Sequence, residues 1–595
     1  STLVNNGAGN LGEDSVFAYS NNGVSIINNA GGTINMTGSN NIAFYMNGGS
    51  IVNNEKINGT IGTSNIGIAS IGGSVTNNAA INVGDSVVER DSEGNINTAK
   101  SVFAIGIYGD GSSIVNNTGG TITIGKDSVG LYAKNAPITV INAGNVTSNS
   151  TGAIGLFVEN STINNTGNIT LSGAGSIGIA AVNQGHVINT GTITMDGNGS
   201  KGVYLRVNST LNNNGGTIVI NGANSIGVEM DAGSKLINSG IIIVNSIGSG
   251  SVPEQISGEN YPIPSIINTG VIIVNENFKT SGLDVIIKID PSTVRPSVLG
   301  TAGAGAAFIS DSVKFYAPYF AVDADNPVKV DPSFTQGRNS LVYKLENVFN
   351  PTTPAGGPNS GMIPVVSKSL TWSATPNVNA QGNVDIWMEK IAYDNFTSGL
   401  WYADFGRALD AKYGATTGEG LTIFNKMDYI ENETDFRRIA ASLAGNVYAN
   451  INHRENDIAK TFESSLNLLQ DSINNTKENV KINVITGKGS TKEDTDGIVG
   501  YDYTTVGVLA LREVERTYRH TFGYSLGYLH TGFEFEDGNQ SEEWVDTIQL
   551  GAHNKYSMSD WKLRNDLAGR VSFHNVDRNI DWTAPNGRSE MNGMF

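Results

Sequence analysis

Residues Gly197 to Gly222 read GNGSKGVYLRVNSTLNNNGGTIVING, and this stretch decides the fold. Its β-forming side chains come in three short bursts, Val203-Tyr204-Leu205, Leu211 and Ile218-Val219-Ile220, with Gly, Asn and Ser between them. Alternation at period two bounded by turn residues is the pattern of short strands. The same phrase, roughly Gly-Ser-x-Ile/Val-x-Asn-Asn-x-Gly-x-Ile-x-Ile/Val and then Ser-x-Gly-Ile/Leu/Val, recurs from Gly23 to Gly270. Counted on the second Asn of each pair, or its equivalent, it falls at Asn29, Asn54, Asn78, Asn117, Asn142, Asn165, Asn189, Asn213, Asn238 and Asn268. Steps are 23 to 25 residues except for one of 39 and one of 30, which mark insertions at Val83 to Ser101 and Ile247 to Pro264.

A fixed period in this range signals stacked units that bury a core only against their neighbours. Residues 1 to 290 carry no sustained helical stripe of apolar side chains. Three strands and three turns per unit therefore describe one coil of a parallel, right-handed β-helix. At a strand spacing of about 4.8 Å, ten coils make a rod of roughly 50 Å. The recurrent Asn is expected at a tight corner, tolerating left-handed backbone and bonding to the Asn of the coils above and below.

Composition agrees: 595 residues hold 73 Gly, no Cys, only 15% charged residues and a net charge of −18. An acidic chain is a poor partner for nucleic acid. The absence of cysteine leans toward an exported bacterial protein. No signal peptide precedes Ser1, so maturation or cloning is expected to have removed the start, and no run of 18 apolar residues forms a transmembrane helix.

After the β-helix at 1–279 the cadence stops. Residues 280–396 gather prolines and large aromatics, Phe315, Tyr316, Tyr319, Phe320, Trp372 and Trp387 among them, and read as a β-rich cap with a low-complexity loop at Pro351 to Met362. A solenoid needs such closure because its terminal coil offers unpaired backbone groups. In the linker 397–479, Phe436, Ile439, Leu443, Val447, Ile451, Ile458, Phe462, Leu466 and Leu469 predict one long helix over 434–470, N-capped by Thr434. Its 36 or so residues give roughly 50 Å. Arg437, Arg438, Asn446, Asn450, Asn452, Arg454 and Glu455 keep that helix out of lipid.

Residues 480–595 alternate strictly. Phe522, Tyr524, Leu526 and Tyr528 oppose Thr521, Gly523, Ser525 and Gly527; Trp561, Leu563, Leu567, Val571 and Phe573 oppose Lys562, Arg564, Asp566, Arg570, Ser572 and His574. Such segments are what transmembrane β-strands require, with one face on lipid and one on a polar lumen; the alternative is a soluble antiparallel sheet with one solvated face. Tyr501, Tyr503, Tyr518, Trp544, Tyr556 and Trp561 lie where interfacial girdles are expected.

The order of these parts, with Arg438-Ile439-Ala440-Ala441-Ser442-Leu443-Ala444-Gly445-Asn446-Val447-Tyr448 and Phe462-Glu463-Ser464-Ser465-Leu466 leading into amphipathic hairpins, resembles the type Va autotransporters. The Asn-heavy style is similar to large fusobacterial-type surface adhesins. The resemblance implies a β-helical passenger on the bacterial cell surface, a helix in the lumen of a transmembrane β-barrel, and insertion into the outer-membrane lipid bilayer by the barrel-assembly machinery. Family barrels have twelve strands, whereas Val480 to Phe595 holds five and the start of a sixth at Glu590 to Phe595. The chain thus reads as a fragment ending inside its barrel. A trimeric autotransporter fits worse, since coiled-coil heptads are missing.

No catalytic constellation, cofactor site or metal site emerges. His186 occupies an ordinary repeat position, and no Gly-Asp-Ser-Gly-like nucleophile context appears. Glu229 and Asp231 share a strand face, with Glu159 three coils away. Asp85 to Glu93 is an acidic loop, by default a solvated bulge, with a weak calcium or receptor contact as the alternative. Asn474-Asn475 is a weak position for passenger cleavage. The expected function is therefore a non-enzymatic adhesin contacting host or bacterial surface receptors, protein or glycan, with the two insertions as contact loops. The alternative is a polysaccharide-processing lyase or glycosidase, which requires clustered carboxylates beside aromatic platforms on one coil face; the sequence displays neither.

Overall fold

A computed structural model describes the chain except residues 22, 94–95, 232, 246–253, 256–262, 281, 298–306, 336–339, 353–362, 473–476, 493–496, 583–595 and the side chains of 254–255. Most of the second insertion, most of the loop after Pro351, Asn474-Asn475 and the proposed sixth strand fall outside the described residues. The chain divides into two compact units, Ser1–Lys390 and Ile391–Phe595.

The first unit is a parallel β-helix with three strands per coil. The repeat quoted above forms Lys201–Leu205, Thr210–Asn213 and Thr217–Ile220. Each pairs in parallel with its equivalents one coil away, Leu211 facing Val187 and Leu236, and Ile218 facing Ile193 and Ile242. We call the face holding Thr210–Asn213 the first, that holding Thr217–Ile220 the second, and that holding Lys201–Leu205 the third. Inward side chains such as Val187, Leu211, Ile193, Ile218, Ile179 and Val203 are fully buried. These aliphatic stacks supply the apolar burial that one coil cannot achieve alone.

Down the first face runs a continuous column of amides, beginning at the half-buried Asn5 and continuing through the buried Asn28, Asn53, Asn77, Asn116, Asn142, Asn165, Asn189, Asn213, Asn238 and Asn268. Each Nδ2 from Asn5 to Asn238 donates to the Oδ1 of the next coil, as in Asn53 to Asn77 at 2.8 Å, Asn142 to Asn165 at 2.7 Å and Asn238 to Asn268 at 2.9 Å. The second amide hydrogen goes to a carbonyl of the following turn, such as Gly144, Gly167 or Gly191 at 3.2–3.3 Å. Where it is made, that second bond fixes which way the amide points, since a flipped amide would set oxygen against oxygen.

The expected ladder mixed two columns. In the first four repeats the buried rung is the first Asn of the pair, while Asn29, Asn54, Asn78 and Asn117 form a more exposed column of opposite polarity, Asn78 donating to Asn54 at 2.7 Å and Asn117 to Asn78 at 2.6 Å. Nor do the buried rungs turn the corners. They end extended strands, and the left-handed positions belong to others, including Asn135, Asn160, Asn183, Asn208 and Asn224.

The recurrent Gly of the third face has a steric cause. A β-carbon on Gly106, Gly130, Gly155, Gly178 or Gly202 would lie 2.5 Å from the carbonyl oxygen of the equivalent glycine in the next coil. The stack continues past residue 279. After Asn268 the first face adds Asp284–Ile287, Val328–Val330 and Val365–Ser367, all parallel, with Ile287 in the amide slot. There the filling turns aromatic, with Phe315 5.3 Å from Phe349 and Phe334 5.3 Å from Trp372. Val342–Pro351 still pairs in parallel with Phe308–Ser310 and Lys314–Ala317, and its antiparallel pairing with Val384–Lys390, which in turn pairs antiparallel with Trp372–Val378, ends the parallel order.

The second unit opens with helices α1 (Asp394–Thr397), α2 (Ala403–Lys412), α3 (Glu419–Met427), α4 (Glu433–Leu443) and α5 (Ile451–Asp471). The single helix expected over 434–470 is thus two. Gly445 takes a left-handed conformation at φ 87°, and the short turn Asn446–Tyr448 re-aims the chain. Asn432, not Thr434, caps α4, accepting from the Asp435 N–H at 2.9 Å. Five antiparallel strands follow in sequential order: Glu478–Thr491, Tyr501–Thr517, His520–Phe535, Glu542–Ser557 and Lys562–Asp577.

Asn165→Leu leaves a buried donor on Asn142 and a buried acceptor on Asn189, and should lower β-helix stability by about 2–5 kcal/mol. Asn168→Ala, on an exposed pair, should change it by less than about 0.5 kcal/mol. Denaturant midpoints followed by circular dichroism compare the two. Gly155→Ala should be as damaging as the Asn165 change, read by the same method and by new protease sensitivity in the coil bearing Gly178.

Candidate functional site

Register across the C-terminal sheet places apolar side chains in rows on one surface. Val484, Val508, Tyr528, Ile548 and Val571 form one row across all five strands; Ile482, Ala510, Leu526, Leu550 and Gly569 form the next. These side chains stay exposed, Leu550 at 63% and Val484 at 72%. Each strand is 14 to 17 residues long, more than the nine to eleven or so that cross a bilayer when tilted. A contiguous apolar band of this extent is at rest only against hydrocarbon. Tyr518, Tyr556 and Trp561 flank it toward one edge of the sheet and Trp544 toward the other, as girdle residues do. Tyr501 and Tyr503 do not join them. Tyr501 is fully buried on the opposite surface, its hydroxyl donating to Asp457 at 2.8 Å, and Tyr503 packs near it.

That opposite surface receives α5. No helix among the described residues is long and apolar enough to cross a membrane, and α5 instead spends its apolar stripe of Ile458, Phe462, Leu466 and Leu469 on Leu509, Leu511, Leu529 and Phe533. Gly527 makes room: a β-carbon there would sit 2.5 Å from the Phe462 ring. Polar ties fix the register. Arg454 and Glu543, both fully buried, pair at 2.5 Å, and the guanidinium also donates to the Val447 carbonyl at 2.9 Å and lies 4.9 Å from the Phe535 ring centre. His574 joins Glu543 at 2.7 Å to Glu455 at 3.1 Å. Further along, Asn483 donates to Ser465 at 2.8 Å, Gln470 to Asp566 at 2.8 Å, and Lys481 to both Glu513 and the Leu469 carbonyl at 2.8 Å. A buried ion pair is weak evidence for stability, but breaking it by removing one partner is costly, so it selects one seating of the helix. The sequence marked Arg454 as incompatible with lipid; its partner Glu543 was recognisable as an acid at an inward position of an alternating strand.

In the β-helix the carboxylates singled out from the sequence are engaged locally. Glu229 is buried and pairs with Lys201 at 2.7 Å. Asp231 accepts from the Val207 N–H at 2.8 Å and from Ser234 at 2.7 Å, holding a corner. Glu159 accepts from the Tyr132 hydroxyl at 2.6 Å and from Asn183 at 3.3 Å. Burial, and then Glu159 itself, push the Tyr132 phenol above its ordinary range. Stacked strands separate Glu159 from the Asp231 row by three coils, about 14 Å, beyond the roughly 5–9.5 Å that paired glycosidase carboxylates need. His186 is exposed on the first face between Thr162 and Thr210. In the acidic loop, Asp85 accepts from the Lys126 N–H at 2.7 Å, Glu89 pairs with Lys100 at 3.1 Å and Arg90 with Asp127 at 2.7 Å. Among the described residues no three His, Cys, Asp or Glu gather to hold a metal ion.

One feature denied on sequence grounds is present. The third face carries an outward aromatic column in register, Tyr108 facing Tyr132 and Tyr132 facing Phe157, with Tyr204 two coils further. Ring centres are 5.2 Å and 4.7 Å apart in the first two contacts. Its signal was the recurring Gly-aliphatic-aromatic triplet, Gly106-Ile107-Tyr108, Gly130-Leu131-Tyr132, Gly155-Leu156-Phe157 and Gly202-Val203-Tyr204.

Comparison with known proteins follows these divisions. Residues 1–158 match the BigA third pectate lyase-like domain, 303–392 the BigA beta sandwich domain, and 480–594 the autotransporter beta-domain. Over 262 residues, 43% of this chain, it is 29% identical to BigA of Salmonella typhimurium strain LT2, whose given name is that of a surface-exposed virulence protein. The matched stretch spans 12% of that protein's length. No solved structure matches the chain. With lipid-facing strands that match the autotransporter beta-domain over 480–594, behind a β-helix whose first part matches the BigA third pectate lyase-like domain, the chain carries an autotransporter-type membrane domain and is held in an outer membrane by its C-terminal strands.

Proposed function

We propose that the chain displays residues 1–279 on the bacterial surface as a non-enzymatic adhesin, with 280–396 closing the β-helix, 397–479 leading into the membrane and 480–595 forming barrel strands. The observation that carries this reading is the pairing of a rigid, repetitive β-helix with a sheet whose outer surface suits only lipid. The surface-exposed virulence name of the Salmonella relative supports it. Partners in this reading are the outer-membrane bilayer, the barrel-assembly machinery, and receptors on host or bacterial cells, not nucleic acid. No residue is assigned a catalytic role. The pectate lyase-like character of the family matched at 1–158 favours a second reading, a polysaccharide-cleaving passenger.

Cells displaying the chain should adhere to host or bacterial surfaces, and deleting 1–279 should abolish adhesion while 480–595 stays in the membrane fraction. Release of reducing sugar by the intact chain would favour the second reading. On the lipid-facing surface, Leu526→Arg should weaken insertion by about 2–4 kcal/mol, seen as loss of the protein from the outer-membrane fraction. Arg454→Ala, which strands Glu543, should abolish the heat-modifiable gel band of the folded C-terminal sheet; Arg454→Lys should restore it only in part.

A further inference from the structure

The structure assigns Lys344 and Asp385 to a self-forming isopeptide cross-link, an amide between the lysine Nζ and the aspartate Cγ, with Glu346 as its proton relay. The two residues lie on Val342–Pro351 and Val384–Lys390, which pair antiparallel with Lys344 opposite Trp387. Asp385 stands two residues before Trp387 and so meets Lys344 diagonally on the same face. Lys344 Nζ lies 3.0 Å from Asp385 Oδ2 and 3.3 Å from Glu346 Oε1. Asp385 is 4% exposed, and the Lys344 side chain 15%. The cross-link does not depend on what the β-helix binds.

What separates this contact from an ordinary ion pair is the other oxygen of the carboxyl group. Asp385 Oδ1 accepts from the Asn347 N–H at 2.8 Å and from Asn379 Nδ2 at 3.0 Å. Two donors on one carboxyl oxygen, with an amino group against the other, have the arrangement of an oxyanion hole. The local backbone aims them. Register slips between Leu345 and Phe349, and within that irregularity Asn347 is left-handed at φ 52°, a costly conformation for a residue other than glycine. Asn347 Oδ1 in turn accepts from Asn379 at 2.9 Å and from Asn383 at 3.0 Å, which fixes both donors in place.

Burial favours the neutral amine of Lys344, but the neighbouring Asp385 and Glu346 outweigh it and hold the ammonium above the usual lysine range. The resting pair is therefore ionic. Reaction starts when a proton passes from Nζ to Asp385 Oδ2 along their 3.0 Å contact, leaving an amine beside a carboxylic acid where water is scarce. Nζ then adds to Cγ, and negative charge gathers on Oδ1 between its two donors. Glu346 takes a proton from the added nitrogen and delivers it to Oδ2, which leaves as water while the amide forms. One C–N bond is made, one C–O bond is broken, and no oxidant or reductant is needed. Holding the reactants in contact supplies the effective concentration that such a condensation requires.

The chain has no cysteine and so no disulfide to brace it outside the cell. An amide here ties a strand that still carries parallel pairing to one that is wholly antiparallel, so the stack cannot unravel from this end without breaking a covalent bond.

The test is the intact mass of the full 595-residue chain in detergent micelles, together with peptide mapping. The chain should weigh one water less than its sequence, and digestion should release a branched peptide joining the stretch around Lys344 to that around Asp385. Lys344→Arg and Asp385→Ala should each restore the sequence mass. Glu346→Gln and Asn379→Ala should slow cross-linking by about tenfold or more, with the circular dichroism spectrum unchanged. An unaltered chain at its full sequence mass, giving only linear peptides, would overturn the assignment whether or not the variants fold. So would a missing water that persists in Lys344→Arg. Cross-linking of Glu346→Gln at the original rate would remove Glu346 as the relay.

Discussion

Everything in the β-helical unit depends on how ten buried amides are satisfied. An asparagine sealed in an apolar solenoid would ordinarily cost several kcal/mol, and here rungs such as Asn142, Asn165 and Asn189 escape it by giving one hydrogen to the next coil and one to their own turn. The column therefore converts a penalty into a registration device: displacing the coil of Asn189 by one residue, for example, would bring Ile188 or Thr190 against the neighbouring amides. Its polarity is uniform, and the more exposed column of Asn54, Asn78 and Asn117 runs the other way, so the two sets of amide dipoles oppose each other. Where the amides stop, at Asn268, aromatic packing and antiparallel strands take over the task of ending the stack.

The C-terminal unit solves the converse problem. Its outer surface is apolar and must meet no water, while its inner surface mixes leucines and phenylalanine with buried charge and must not be left empty. Helix α5 reconciles the two by offering a mixed surface: Phe462 against Gly527, and a few residues before it Arg454 against Glu543. Glycine supplies closeness and the ion pair supplies uniqueness. Neither the helix nor the sheet would be a reasonable object alone, since each exposes what the other covers.

Much of this was legible in the sequence because periodicity reports burial directly. The 24-residue cadence and the strict alternation of Thr521 to His530 each state which side chains share a surface, and both architectures follow from them. What escaped was set by single-residue geometry. Asn28 and Asn29 are adjacent and chemically identical, and only the strand register decides which one turns inward. The break at Gly445 hides in a stretch whose apolar spacing continues through it, because Val447 and Ile451 keep the helical period although the backbone does not. Helices α2 and α3 are short and amphipathic, built around Tyr393, Tyr413 and Phe424 rather than around a long stripe. Tyr501 was misread as interfacial because its place near a strand end says nothing of which side it faces. The aromatic column went unseen since its members lie 24 or 25 residues apart and become neighbours only once coils stack.

The first insertion carries a lesson about how such a molecule can vary. Asn77 and Asn116 are 39 residues apart yet remain adjacent rungs, and Asn238 and Asn268 do the same across 30. The first excursion leaves between Ile81–Val83 of the second face and Ile105–Asp110 of the third, so that edge of the coil absorbs extra chain without disturbing the amides on the first face. Lineages can therefore rewrite what this edge presents to the outside world, lengthening or exchanging its loops under immune or ecological pressure, while the scaffold inherits its dimensions unchanged.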